Sequence, residues 1–173
     1  MTVLVEPRIA IRTPADADVP GLVALVNLLA AEASNLFIMP IAGPDAAKTL
    51  RAHLAAVATT GNEVVLVAEC DGAIAGLLTA ARGFHPAKRG VATIGIGVRP
   101  EDRGRGIGRA LMAGIEAWAK GAEIDRLELT VVAANRPATA LYRSCGYKDE
   151  GVMRASARID GKLVDQIMMA KLV

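Results

Sequence analysis

The stretch from Val91 to Val132 leaves the fewest options for the fold. Val91 to Val98 is a short apolar run that ends at Arg99-Pro100, and it reads as a buried strand. Pro100 to Gly108 is a charged, glycine-rich loop. From about Ile107 to Lys120 the residues Ile107, Leu111, Ile115 and Trp118 recur on one face of a helix. Arg126 to Val132 then alternates as another strand. A strand, a helix and a second strand joined in this way make a parallel crossover, which is right-handed in nearly every known case. The spacing therefore predicts a mixed α/β sheet, with a ligand crevice where the crossover opens.

The period of the apolar residues divides the rest of the chain. Arg8 to Arg12 alternates as a short strand. Pro14 opens a helix with Asp16 and Asp18 near its positive end, and Val19, Leu22, Val23, Val26 and Leu29 follow at helical spacing. Asn35 to Pro44 is an unusually apolar loop, and a second helix runs from about Asp45 to Ala58. Glu63 to Glu69 and Ala73 to Ala81 flank Asp71-Gly72, a strong hairpin turn. Arg136 to Ser144 is a short helix that Gly146 stops, and Lys148 to Lys171 closes as a hairpin around Asp160-Gly161. The expected order is β-α-α-β-β-β-α-β-α-β-β.

With 173 residues, 53% of them hydrophobic and 22% charged, residues 1–173 are expected to form one globular domain. Aromatic residues at 3% exclude stacking platforms for bases, and a net charge of +2 gives no case for nucleic acid. No apolar run is long enough to span a bilayer, so no membrane partner is expected. Met1 to Arg12 carries Glu6 and Arg8 and no apolar signal core, which predicts a cytoplasmic protein. Cys70 and Cys145 cannot make a disulfide framework, and two distant histidines offer no metal spacing, so no metal is expected.

The chemistry concentrates in Arg99 to Gly108. Glycines at 104, 106 and 108 expose backbone N–H groups where a helix begins, and arginines at 99, 103, 105 and 109 add positive charge. That pattern favours phosphate or pyrophosphate over a solvated turn. A Walker loop would need Lys-Ser or Lys-Thr where Arg109-Ala110 stands. A dinucleotide site would use Glu128 as its ribose acid, but Glu128 lies mid-strand and too little chain follows. In the next helix Asn135 suits the N-cap and Pro137 the first turn, with Tyr142 two turns on.

Taken together, these two segments resemble the GNAT family of N-acetyltransferases. Its pyrophosphate motif is present as Arg103-Gly104-Arg105-Gly106-Ile107-Gly108. Its second motif is present as Asn135, Ala138 or Ala140, Leu141-Tyr142 and Gly146-Tyr147. The resemblance spans nearly the whole chain, weakest between Asn27 and Ala58. The tail from Arg158 to Ala170 also resembles the branch that acetylates the α-amine of free amino acids.

The resemblance implies a mixed, mostly antiparallel twisted sheet whose central parallel pair, Val91–Val98 and Arg126–Val132, splays for acetyl-CoA. Backbone groups of Ile96 and Val98 would meet the pantetheine, and the Val98 N–H the thioester carbonyl. Arg103, Gly104, Arg105, Gly106, Ile107 and Gly108 would hold the pyrophosphate. Tyr142 would protonate the departing sulfur, and Asn135 would orient water or bind the cofactor; both would contact acetyl-CoA. Relatives often carry a carboxylate on the strand before the loop, where this chain has Thr93, Gly95 and Gly97. Glu32 is the expected base or ammonium grip.

The expected reaction is acetyl transfer to the primary amine of a small molecule, by direct attack in a ternary complex. The apolar loop around Leu36-Phe37-Ile38-Met39 suits an apolar amino acid as acceptor, or ordinary core, or a homodimer contact. Protein N-termini and aminoglycosides are alternative acceptors. A non-catalytic acyl-CoA-binding module on the same fold is the alternative from another class.

Overall fold

A computed structural model describes residues 8–32 and 38–173. The elements follow the expected order. They are β1 (Ile9–Arg12), α1 (Val19–Ala31), α2 (Ala46–Thr60), β2 (Glu63–Cys70), β3 (Ala73–Arg82), β4 (Val91–Val98) and α3 (Ile107–Gly121). The second half holds β5 (Arg126–Val132), α4 (Arg136–Ser144), β6 (Lys148–Ile159) and β7 (Lys162–Leu172). The strands form one sheet in the order β1-β2-β3-β4-β5-β7-β6. Every neighbouring pair is antiparallel except β4 and β5, the pair joined by the α3 crossover.

Both faces of the sheet are covered at β2 and β3. On one face α3 buries Ile107, Leu111, Met112 and Ile115 against Leu66, Leu78, Ile94, Leu127 and Met169. Each such side chain contributes about 1.5–3 kcal/mol. On the other face α1 and α2 bring Val19, Leu22, Leu25, Leu29 and Leu50 onto Val67 and Leu77. Burial from both sides explains why Val64 to Ala68 is continuously apolar instead of alternating.

The first helix starts later than Pro14 suggests. Asp16 to Asp18 forms a single 3-10 turn, and α1 begins at Val19 with Pro20 in its first turn. The carboxylates have other work. Asp18 accepts from Arg12 Nη1 at 2.6 Å, Arg12 Nη2 at 2.9 Å and the Ala15 N–H at 2.6 Å. Asp16 pairs with Arg51 of α2 at 2.5 Å. These contacts tie β1 to the helices and place the acids in a turn ahead of α1 rather than inside its first turn.

The feature that makes the site is a parting of strands. β4 pairs with β3 from Ala92 to Val98, and β5 pairs with β7 from Arg126 to Val132. Between β4 and β5 the register covers only Val91↔Arg126, Ala92↔Leu127 and Thr93↔Glu128. Beyond Thr93 each strand follows its own antiparallel neighbour, and a gap opens between them.

Gly97 sets how closely α1 approaches that gap. A Cβ at this position would lie 2.5 Å from Leu29 Cδ1 and 3.6 Å from Ile38 Cδ1. Gly97→Ala is expected to push Leu29 off β4 and cost about 1–3 kcal/mol, as overpacking does. Urea unfolding measures this, and a midpoint equal to wild type would contradict the close packing.

Candidate active site

The backbone of β4 supplies the first part of the site. The Arg99 N–H donates to the Ala75 C=O at 2.8 Å, and the Gly83 N–H donates to the Val91 C=O at 3.2 Å. These bonds flank Gly76↔Val98 and Arg82↔Ala92, so both are non-hydrogen-bonded pairs of the β3–β4 ladder. By alternation Ile94, Ile96 and Val98 turn their N–H and C=O groups away from β3. Past Thr93 no strand among the described residues meets them, so Ile96 and Val98 present backbone groups to the gap. Arg103 Nε takes up one of these, the Val98 C=O, at 3.0 Å.

The glycine loop supplies the second part. Gly104 and Gly106 have φ of +78° and +88°, the left-handed region that a β-carbon disfavours. Their turns deliver the chain into α3, whose first internal bond runs from the Ala110 N–H to the Gly106 C=O at 3.0 Å. The N–H groups of Ile107, Gly108 and Arg109 precede that bond and point out of the helix start, with its positive dipole end. Gly108 also lets α4 close in, since a Cβ there would lie 2.8 Å from Leu141 Cδ2.

The arginines of the loop do not stand free, as their density in the sequence suggests. Arg103 binds both oxygens of Glu32, at 3.0 and 2.5 Å. Arg105 binds Asp102 at 2.6 Å and Asp71 at 2.7 Å, Arg99 binds Asp102 at 2.5 Å, and Arg109 donates to Ser144 Oγ at 3.1 Å. Their charge stays near the loop while much of their hydrogen-bonding capacity serves the protein. What the loop leaves open to the cleft is therefore chiefly backbone N–H groups at a helix start.

Asn135 and Tyr142 come from α4, on the far side of the gap. Asn135 Oδ1 accepts from the Ala138 N–H at 3.2 Å, so it is the N-cap and has its NH2 left to offer a ligand. Tyr142 is 7% exposed and its ring centroid lies 6.2 Å from that of Tyr147. Burial pushes the Tyr142 hydroxyl up to about 12. Among the described residues its hydroxyl makes no hydrogen bond, whereas it lines the gap.

One cleft of about 1010 Å³ joins these parts. Ile96, Val98, the loop, Asn135 and Tyr142 line it, and so does Glu32 from the end of α1. On the side of α1 and α2 the same cleft is walled by Leu22, Val26, Ile38, Ile41, Leu50 and Leu54. Of the apolar loop, Ile38 and Ile41 line the cleft, Met39 is 83% exposed, and Leu36 and Phe37 lie outside the described residues. Thr79, Thr93 and Thr130 add hydroxyls to the same cleft.

One residue stands elsewhere than its sequence context suggests, and another stands where that context puts it. His53 reads as an ordinary helix position, yet it lines the cleft from α2 with Glu63 Oε2 3.9 Å from its Nε2. Glu128 is opposite Thr93, where the strands still pair, and accepts from Arg126 Nε at 2.9 Å. It sits toward the opposite end of β4 from the glycine loop, which removes the dinucleotide reading. The sequence also passes over Asp102, whose only signal is an acid set among arginines.

The parted parallel strands, the helix-start loop and the tyrosine across the gap form one cleft lined by backbone groups of β4 and by a helix start. Residues 27–147 match the acetyltransferase (GNAT) family, and the chain belongs to it. The chain is 37% identical to the L-amino acid N-acetyltransferase AaaT of Escherichia coli over 108 residues, which are 62% of this chain and 67% of that protein. An acetyltransferase of GNAT family from Streptococcus pneumoniae has the same fold, with a TM-score of 0.87, 26% identity and coverage of 96% of this chain and 99% of that one. YncA of Salmonella typhimurium, solved with its cofactor acetyl-CoA, superposes with a TM-score of 0.84 at 18% identity, covering 95% of this chain and 93% of that one. The chain is thus an N-acetyltransferase that uses acetyl-CoA.

Proposed function

We propose that the enzyme acetylates the primary amine of a small molecule with an apolar body, the α-amine of an apolar amino acid fitting best. The observation that carries this is the α1–α2 side of the cleft, where Leu22, Val26, Ile38, Ile41, Leu50 and Leu54 make an aliphatic wall interrupted by His53, with Gly95 and Gly97 of β4 lining the same cleft. An apolar side chain there leaves water, while its amine lies toward Val98. The similarity to an L-amino acid N-acetyltransferase points the same way. The two free cysteines suit a reducing cytoplasm.

The residues of the cleft fit acetyl-CoA. Ile96 and Val98 bind the pantetheine through their backbone, and the N–H groups from Arg103 to Gly108 hold the pyrophosphate. Acetyl-CoA supplies the acetyl group as a thioester, so the amine nitrogen bonds to the carbonyl carbon as the carbon–sulfur bond breaks. The Val98 N–H donates to the carbonyl oxygen as charge develops on it. Tyr142 gives its hydroxyl proton to the departing sulfur and regains one from the acylated nitrogen as this becomes a neutral amide, and Asn135 fixes the cofactor or a water through its NH2. Glu32 takes the proton of the ammonium, or grips it, once Arg103 turns from it toward the pyrophosphate. No acid on β4 stands in for that role, because Thr93, Gly95 and Gly97 occupy the strand.

A screen for CoA release across amine classes tests the acceptor. Apolar amino acids are expected to raise release well above the rate in water. Aminoglycosides and peptides with free N-termini are expected to raise it little. Equal or greater stimulation by either of these would overturn the assignment, as would no stimulation by any primary amine.

A further inference from the structure

Asp102 is the only buried acid among the described residues, and acetyl transfer as derived above does not use it. Its side chain is 4% exposed and it lines the cleft together with Arg103, Gly104 and Gly106 of the glycine loop. A fixed negative charge is out of place there, since it repels a ligand carrying several negative charges. Some gain must offset that repulsion, and the contacts of Asp102 identify it.

The carboxylate closes the loop on itself. Arg99 Nε reaches one oxygen at 2.5 Å and Arg105 Nη1 reaches the other at 2.6 Å, so the two ends of Arg99 to Arg105 meet on a single side chain. The Asp102 N–H donates to the Arg99 C=O at 3.0 Å, which fixes the carboxylate against the first of these ends. Arg105 extends further, to Asp71 at 2.7 Å in the turn between β2 and β3. Arg105 also stands between Gly104 and Gly106, the two left-handed residues that aim the loop's N–H groups. Burial alone would push the Asp102 carboxyl up, but the hydrogen bonds from Arg99 and Arg105 outweigh it and hold the group below the usual carboxylate range.

We propose that Asp102 is a positioning residue for the pyrophosphate site: it anchors Arg105, and through it the Gly104–Gly106 backbone, without touching the cofactor. The inference rests on the reading that this loop holds the pyrophosphate of acetyl-CoA. Its sign is opposite to that of simple electrostatics, in which removing an acid beside a polyanion tightens binding.

Asp102→Asn tests it, with two acetyl donors. Acetyl-CoA carries the pyrophosphate, and S-acetylpantetheine carries the same thioester arm without it. The variant is expected to raise the KM for acetyl-CoA, and the calorimetric Kd for CoA, by about tenfold to 10²-fold, as loss of a positioned contact does. The kcat/KM for S-acetylpantetheine is expected to fall less than about threefold, because that donor makes no use of the loop. CoA binding as tight as wild type, or tighter, overturns the proposal. Equal losses for both donors overturn it too, since they would mark a general structural role. If Asp102→Asn does not fold, Arg105→Lys keeps the charge but cannot bridge Asp102 and Asp71 together, and the same split between donors is expected. A wild-type enzyme with equal KM for both donors would overturn the loop reading itself, and this inference with it.

Discussion

Tyr142→Phe is expected to lower kcat by about 10²-fold at saturating acetyl-CoA, with the KM for acetyl-CoA nearly unchanged. The substitution keeps the ring that packs against Tyr147 and removes only a hydroxyl with no protein partner among the described residues, so stability should hardly change. The loss is partial because a thiol, with an ordinary pKa of ~8.5, can depart as thiolate without help. Burial raises the Tyr142 pKa to about 12, and a phenol donates only below its pKa. The hydroxyl therefore stays protonated through about pH 6 to 10, and kcat should show no alkaline limb from this group in that range. An alkaline limb near ~10 that vanishes in Tyr142→Phe would contradict the burial. Wild-type turnover in the variant would reduce Tyr142 to packing, and a raised KM with unchanged kcat would assign it to binding.

Gly106→Val is expected to weaken acetyl-CoA binding by about tenfold to 10²-fold in a folded protein. The φ of +88° at Gly106 is the reason, since no neighbour among the described residues lies within 4 Å of a Cβ there. A β-branched residue held in the left-handed region costs about 1–3 kcal/mol. The free loop relaxes to relieve that strain, and cofactor binding must restore it, so the cost enters the Kd at about 1.4 kcal/mol per factor of ten. Calorimetry with CoA, beside circular dichroism to confirm folding, measures it. Undiminished affinity in a folded variant would remove the loop from the cofactor site.

The order of elements and the two motif segments were legible in the chain because local chemistry dictates them. The β4 run ends at Arg99-Pro100, the α3 stripe has helical period, Asn135 caps α4 and Gly146 stops it with a φ of +89°; each is settled within a few residues of itself. The parallel pairing of β4 and β5 was legible for the same reason, since a crossover helix admits little else.

What the arginines and acids do was not legible, because their partners are distant in sequence. Arg103 finds Glu32 across 71 positions and Arg105 finds Asp71 across 34, and no period or turn signal spans such distances. The same holds for His53, which the packing of α2 over β2 carries to the cleft wall, and for Tyr142, whose hydroxyl is shifted by burial alone. The sequence by itself determined which segments become strands, helices and the glycine turn, through short-range periodicity and backbone preference. Only the tertiary structure decided which charges face a ligand and which are spent on the protein, because ion pairs and burial depend on groups that folding brings together from far along the chain.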